Sequence, residues 1–269
     1  MKKIMLLFLL VGGSVFAQVK DTRKVADFSK MKVSQSIRLD FTYGKDKSVV
    51  VEVEDKEDLQ YVKTEVSADG VLKVYIDQPS SWKILRIKNV KVYASNPTLS
   101  EVGVSSSANF RLLNTAKSKS LKVSTSSSAS YQGGLVQTDN LFLESSSSSA
   151  IEGNFEVSNQ ANIASSSSAY MDINLKTNRA NFEASSSSNL KVSGTANDVV
   201  ATASSSASIN GKGLTAKILD GKASSSGSID MNVSEEIKGK ASSSGRIIYT
   251  GAAKLVEKKV SSSGQIKKG

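Results

Sequence analysis

Apolar and polar residues alternate along much of this chain. From residue 105 onward the alternation is locked to a recurring run of serines. The runs start at Ser105, Ser126, Ser145, Ser165, Ser185, Ser204, Ser224, Ser242 and Ser261. Aligned on the apolar residue that follows, the anchor serines are Ser107, Ser128, Ser148, Ser168, Ser187, Ser206, Ser226, Ser244 and Ser263, with steps of 18 to 21 residues. Three places after the anchor stand Phe110, Tyr131, Ile151, Met171, Leu190, Ile209, Ile229, Ile247 and Ile266, all large and apolar. One place after it every copy has Ala, Gly or Ser. Three, five and seven places before it the residues are mostly small or apolar, as in Leu121-Lys122-Val123.

These odd offsets share one face if the segment is extended, because side chains on a strand alternate with period two. A helix is excluded by that period and by the poor helix propensity of serine. A flexible Ser-rich linker would not hold apolar residues in phase through nine copies. Each repeat therefore predicts one alternating strand plus a turn, with the turns marked by Gly133-Gly134, Gly153-Asn154, Gly194, Gly211, Gly213 and Gly251. A unit of about 20 residues cannot bury its apolar face alone, but stacked copies can. The predicted fold is all-β: a right-handed parallel β-helix, that is, a single-stranded β-solenoid of about 20 residues per coil. The hand follows the general preference for right-handed crossovers. Eight steps at ~4.8 Å make a segment roughly 38 Å long. The middle serine of each run, such as Ser127 or Ser205, is expected to point inward and join a ladder of buried hydroxyls.

Residues 18–100 read differently, as an N-terminal β-rich cap with irregular first coils, ahead of the Ser-rich repeats at 101–269. Strands are predicted at Ile37–Phe41, Val49–Val53, Val71–Ile76 and Ile84–Val92. Asp69-Gly70 signals a hairpin, Lys56–Val62 a short helix, and Trp82 falls in a loop after Pro79. A cap matters because an open solenoid end presents unpaired backbone that templates aggregation. No such cap is legible at the C-terminal end, where Lys267 and Lys268 would act as charged gatekeepers.

The first 17 residues read as a secretory signal: Lys2 and Lys3, an apolar run from Ile4 to Val11, then Val15-Phe16-Ala17, with cleavage between Ala17 and Gln18. The run is shorter than the about 20 residues a spanning helix needs, and no other segment is long and apolar enough. The mature chain is expected in a periplasm or outside the cell. Composition narrows the chemistry. The chain has no His and no Cys, so a Ser-His-Asp triad, a thiol nucleophile, a zinc finger and a disulfide framework are all excluded. Lys and Arg number 35 against 25 Asp and Glu. The basic residues are scattered except for Lys254, Lys258, Lys259, Lys267 and Lys268, which favours solubility and edge protection over a nucleic-acid site.

The lead segment carries "VVVEVEDKEDLQYVKTEV" (Val49–Val66), "GVLKVYI" (Gly70–Ile76) and "VKVYASNPTLSEVGVSSSANF" (Val90–Phe110). With the small-residue strands behind it, residues 25–266 resemble the bacterial family of putative auto-transporter adhesins, head GIN domain. The resemblance implies an adhesive role and brings no catalytic residues. Relatives carry Ser-Gly repeats where this chain has long Ser runs.

Two functions follow for test. The first is a non-catalytic structural or adhesive scaffold that displays a polar serine face to glycans or envelope components. Its candidate binding residues are Ser126, Ser128, Ser146, Ser148, Ser166, Ser168, Ser185 and Ser187, at offsets −2 and 0 from the anchors. The alternative is a polysaccharide-active β-helix enzyme. Glu152 and Asp172 would sit one coil apart in the outward column four places after the anchor, with Lys191 on the next coil. No cofactor is expected. No metal is expected either, since the Gly-Gly-x-Gly-x-Asp calcium repeat and a phosphate-binding Gly-x-x-x-x-Gly-Lys loop are both lacking. The sequence does not specify oligomeric state.

Overall fold

The computed structural model describes residues 18–78 and 87–269. The proposed leader, its cleavage point after Ala17, the Trp82 loop and the start of the Ile84–Val92 strand lie outside these residues. In chain order the strands are β1 (Val19–Thr22), β2 (Lys30–Val33), β3 (Arg38–Tyr43), β4 (Ser48–Val53), β5 (Val62–Val66), β6 (Val71–Ile76), β7 (Lys91–Asn96), β8 (Glu101–Val104), β9 (Asn109–Leu112) and β10 (Ala116–Thr125). There follow β11 (Ser130–Ser145), β12 (Ala150–Ser165), β13 (Tyr170–Ala184), β14 (Asn189–Ala203), β15 (Ser208–Ala223), β16 (Ser228–Ala241), β17 (Arg246–Thr250), β18 (Lys254–Val260) and β19 (Gln265–Lys268). All are joined in one hydrogen-bonded sheet. From β10 to β19 every pairing is parallel and coil-to-coil, with registers such as Ile151↔Met171, Met171↔Leu190 and Leu190↔Ile209. The chain is an all-β solenoid of about 8 turns with ~20 residues per coil.

The hydrophobic pattern explains the packing. All nine large residues at offset +3 are buried, eight of them fully and Ile266 at 5% exposure. Each such side chain is worth about 1.5–3 kcal/mol of hydrophobic stabilisation when fully removed from water. The small residues at +1 and −3 also face inward, Val260 excepted. Val260 is 45% exposed because β18 pairs on one side only, with β16, among the described residues.

Most turns fall elsewhere than the glycine pattern predicts. The chain turns at the serines, and the glycines lie within long continuous strands, except Gly251 (φ 93°), which stands in the bend between β17 and β18 as expected. Each long strand absorbs its other corners as bends and register shifts, as between Gln132 and Leu135 or Gly211 and Thr215. Gly194 shows why glycine is placed there. Its φ is +108° and a Cβ would lie 2.2 Å from the Leu175 carbonyl oxygen.

At each serine turn two consecutive residues adopt left-handed backbone, as at Ser127 (φ 53°) and Ser128 (φ 61°). The Ala129 N–H donates across the turn to the Ser126 carbonyl at 3.2 Å. Two positive φ values around such a bond are the mark of a type I′ turn. Left-handed backbone costs an ordinary L residue about 1–2 kcal/mol. Stacking offsets that cost, because the turns bond one another: Ser107 N–H donates to Ser127 O at 2.9 Å, Ser128 to Ser147 O at 3.0 Å, and Ser148 to Ser167 O at 3.0 Å.

The same turn occurs once more, unseen in the serine pattern. Gln35 (φ 61°) and Ser36 (φ 58°) join β2 to β3, and Ser36 N–H donates to Ser106 O at 2.9 Å. This coil is wedged between two others: β2 pairs with β6 and β8, β3 with β7 and β9, all in parallel. Antiparallel strands finish this end, β4 on β7, β1 on β4 and β5 on β6. The β5–β6 hairpin turns at Gly70 (φ 73°), as Asp69-Gly70 predicts. The predicted helix is a short 3-10 turn, Lys56–Gln60. The Ile84–Val92 strand forms only from Lys91 onward within the described residues.

Candidate functional site

The double left-handed turn decides how the hydroxyls are displayed. Period-two alternation would send the middle serine inward, but that holds only for extended backbone. Ser127 and Ser205 are exposed instead, and so are the anchors Ser128, Ser148, Ser168 and Ser187 beside the middle serines. The outward serines thus form a ridge two residues wide along the corner of the solenoid. Ser126, Ser146, Ser166 and Ser185, at offset −2, are half-buried and lie on the adjoining wall. The eight predicted face residues are therefore divided between a ridge and a wall.

A buried hydroxyl ladder does exist, at offsets −3 and +1. Thr125, Ser145 and Ser149 are each at most 3% exposed, and their oxygens lie 2.9 Å apart in all three pairings. Ser188 Oγ donates to the Ser165 carbonyl at 2.8 Å. These positions were legible as inward by parity, and their hydroxyls were the signal.

The wall beside the ridge carries a groove of about 1280 Å³. It is lined by the residues at offsets −4 to −2 of successive coils. It starts at Lys73 and Tyr75 of β6 and Lys32 of β2, and passes Gly103–Ser105, Ser124–Ser126, Glu144–Ser146, Ala164–Ser166 and Glu183–Ser185 to Thr202 and Ser204. Eight strands lie side by side beneath it, so seven steps at ~4.8 Å give it a length of roughly 34 Å. Its floor is apolar or hydroxyl-bearing (Val33, Val104, Thr125, Ser145, Ala184), and its outer rows carry Ser124, Glu144 and Glu183. Glu144 pairs with Lys122 at 2.9 Å and accepts from Ser124 Oγ at 3.2 Å. Ser126, Ser146, Ser166 and Ser185 line the groove; Ser128, Ser148, Ser168 and Ser187 do not.

The charged column at offset +4 keeps its predicted register: Gln132↔Glu152, Glu152↔Asp172 and Asp172↔Lys191. Glu152 and Asp172 share a shallow hollow of about 470 Å³ with Asn154, Asn174 and Ser193. Asp172 accepts from Lys191 Nζ at 2.8 Å and from the Tyr170 hydroxyl at 3.2 Å. The bond to Asp172 holds Lys191 above the ordinary lysine range. For Tyr170, burial first and then the Asp172 charge push the phenol up. The arrangement is a mixed-charge ladder with its aspartate already neutralised. Among the described residues no group of three or more acidic, His or Cys side chains could hold a metal ion, and no helix is long and apolar enough to cross a membrane.

A family model described as "Putative auto-transporter adhesin, head GIN domain" matches residues 27–162 and 152–253. No curated protein matches the chain. Among solved structures, a putative adhesin from Parabacteroides merdae is 22% identical, with a TM-score of 0.67 over 94% of this chain and 96% of that one. A putative adhesin from Parabacteroides distasonis is 20% identical, with a TM-score of 0.67 over 94% and 97%. A protein from the same species described as a putative lipid binding protein is 19% identical, with a TM-score of 0.61 over 94% and 96%. At these identities the likeness is one of fold.

Proposed function

The chain belongs to the family described as putative auto-transporter adhesin, head GIN domain, and from that premise we propose that it is a non-catalytic adhesin of the cell envelope that holds an extended glycan in its wall groove. The leader ending at Ala17 would export it to the periplasm or the cell surface, with Gln18 as the first mature residue. One observation carries the reading: a groove about 1280 Å³ in volume is lined by Ser126, Ser146, Ser166 and Ser185 on successive coils. A hydroxyl every coil suits a ligand that is itself a linear array of hydroxyls. A single neutral hydrogen bond adds only about 0.5–1.5 kcal/mol. A repeated register lets several weak contacts act together. The exposed ridge of Ser128, Ser148, Ser168 and Ser187 forms the rim.

The test is capture on a glycan array by the mature chain. Ser146→Tyr with Ser166→Tyr fills the groove and is expected to abolish capture, while Ser148→Asn with Ser168→Asn, which suits left-handed backbone, leaves it largely intact. Capture indifferent to the two tyrosines contradicts the groove reading. Glycan cleavage that disappears in Glu152→Ala would replace the adhesin reading with the enzymatic one.

A further inference from the structure

The groove wall does not end at Thr202. Its outer row continues as Lys222, Lys240 and Lys259, which stand directly opposite one another on β15, β16 and β18. With Ser224, Ser242 and Ser261 they line a hollow of about 340 Å³. Elsewhere like charges in register come only in pairs among the described residues, at Glu152↔Asp172, Lys32↔Lys73 and Arg38↔Lys91, and the Asp172 column is broken by Lys191 on the next coil. Like charges directly opposite on neighbouring strands are destabilising. Three lysines in a row therefore cost the folded chain something that only Glu257, near Lys259 and Lys240, partly offsets. Lys259 is relieved by Glu257 at 2.7 Å, but Lys222 and Lys240 form no ion pair on this wall among the described residues. Lysines that blunt a sheet edge are common. That explanation reaches Lys259 on the outermost strand, and it does not reach Lys222 or Lys240, whose strands are paired on both sides.

We propose that this lysine row is the anion-binding end of the groove and that its ligand is an acidic polysaccharide bearing a carboxylate on successive sugars. The inference rests on the glycan reading above and adds the charge of the polymer. The lysines are one strand apart, ~4.8 Å, a step comparable to the length of one pyranose ring. Each ammonium meets one carboxylate and each serine at offset −2 meets a sugar hydroxyl. The row lies in a hollow continuous in strand register with the groove, so it fits a linear polymer and not the plane of a membrane. Among the described residues no aromatic side chain lines the hollow, so these residues offer none of the base-stacking platforms on which single-stranded nucleic acid binds.

Polygalacturonate and a neutral polymer, dextran, are the probes, with binding to the mature chain measured by calorimetry at low and high salt. Polygalacturonate is expected to bind, more weakly as salt rises. Lys240→Gln is expected to weaken it about tenfold, as loss of a charged hydrogen-bonding partner does. Lys222→Gln with Lys240→Gln weakens it further, and Lys119→Gln, outside the row, has no effect. The melting temperature without ligand should hold or rise in Lys240→Gln, since repulsion is relieved; a fall would make the row structural and overturn the proposal. No polygalacturonate binding, or binding indifferent to Lys222 and Lys240, also overturns it. If dextran or an array glycan is still captured in a manner sensitive to Ser146→Tyr, only the acidic-end inference has failed. If polygalacturonate binding needs the lysines and ignores Ser146→Tyr, the inference stands and the central-groove reading fails.

Discussion

The N-terminal coils and the serine repeats are built from the same turn but stabilised by different means. Between β10 and β16 the strands are long and bent, and the buried polar groups are hydroxyls: Thr125, Ser145 and Ser149 bond one another, and Thr138, Thr177 and Ser188 donate to backbone carbonyls. Between β1 and β9 strands are short, several are antiparallel, and two of the three buried polar side chains among the described residues, Asp40 and Glu52, are charged, the third being Asn96. Asp40, 8% exposed, takes two hydrogen bonds from Arg111 at 2.7 and 2.6 Å. Glu52, 3% exposed, pairs with Lys20 and Lys91, each at 3.2 Å. A repeat can rely on its neighbours for register. The end of a sheet has a neighbour on one side only, and this chain closes it with antiparallel strands and ion pairs.

The two regions meet in an aromatic stack: Phe41 from β3 on Phe110 from β9 at 6.0 Å, and Phe110 on Tyr131 from β11 at 5.5 Å. The largest effect is expected here. Phe110→Ala should cost about 3–5 kcal/mol and, by loosening the seam, split thermal unfolding into two transitions. A single transition shifted by less than about 1 kcal/mol would mean that the seam is not what couples the regions.

Within the repeats, the last coils are tighter than the first. A methyl group on Gly245 would lie 2.3 Å from the Ala223 carbonyl oxygen, whereas the equivalent Ala129 and Ala207 are accommodated. Gly245→Ala should therefore cost about 2 kcal/mol as overpacking, seen as a lower denaturation midpoint, and a neutral result would show that the coil can relax. Ser145→Ala removes one member of the hydroxyl ladder and should cost about 1 kcal/mol; Thr125 and Ser149 still bond each other. An equal loss from Ser147→Ala on the exposed ridge would break the distinction between ladder and ridge.

Much of this was readable from residues alone. The parity of +3, +1 and −3 follows from stacking extended strands, and the +4 column, including Asp172 beside Lys191, follows from a fixed coil length. Parity failed at Ser127 because it presumes extended backbone, and serine gives no warning of two left-handed residues in a row. It also missed the coil at Val33–Leu39. That coil shows the same spacing, but Gln35 replaces the middle serine and its spatial neighbours are far away in sequence. The division of the serine face into ridge and groove needed the turn geometry, as did the continuity of Lys222, Lys240 and Lys259 with the groove.

The smallest effect distinguishes the regions by pH. Burial pushes the Glu52 carboxyl up, but hydrogen bonds and charge from Lys91 and Lys20 outweigh it and hold the carboxyl below its usual range. That stabilisation is present above the unfolded-state value of about 4.3 and is lost as pH falls through the lower folded-state value. Glu52→Gln should flatten the acid limb of a stability profile, while Ser145→Ala leaves its shape unchanged. An acid limb unaltered in Glu52→Gln would remove Glu52 from the account.

The most direct test of the groove is a crystal structure of the mature chain with an oligosaccharide selected on the array. The account predicts sugar rings following one another along Ser126, Ser146, Ser166 and Ser185, one coil apart. Sugar bound at the Glu152–Asp172 hollow, or across the solenoid instead of along it, would contradict the account.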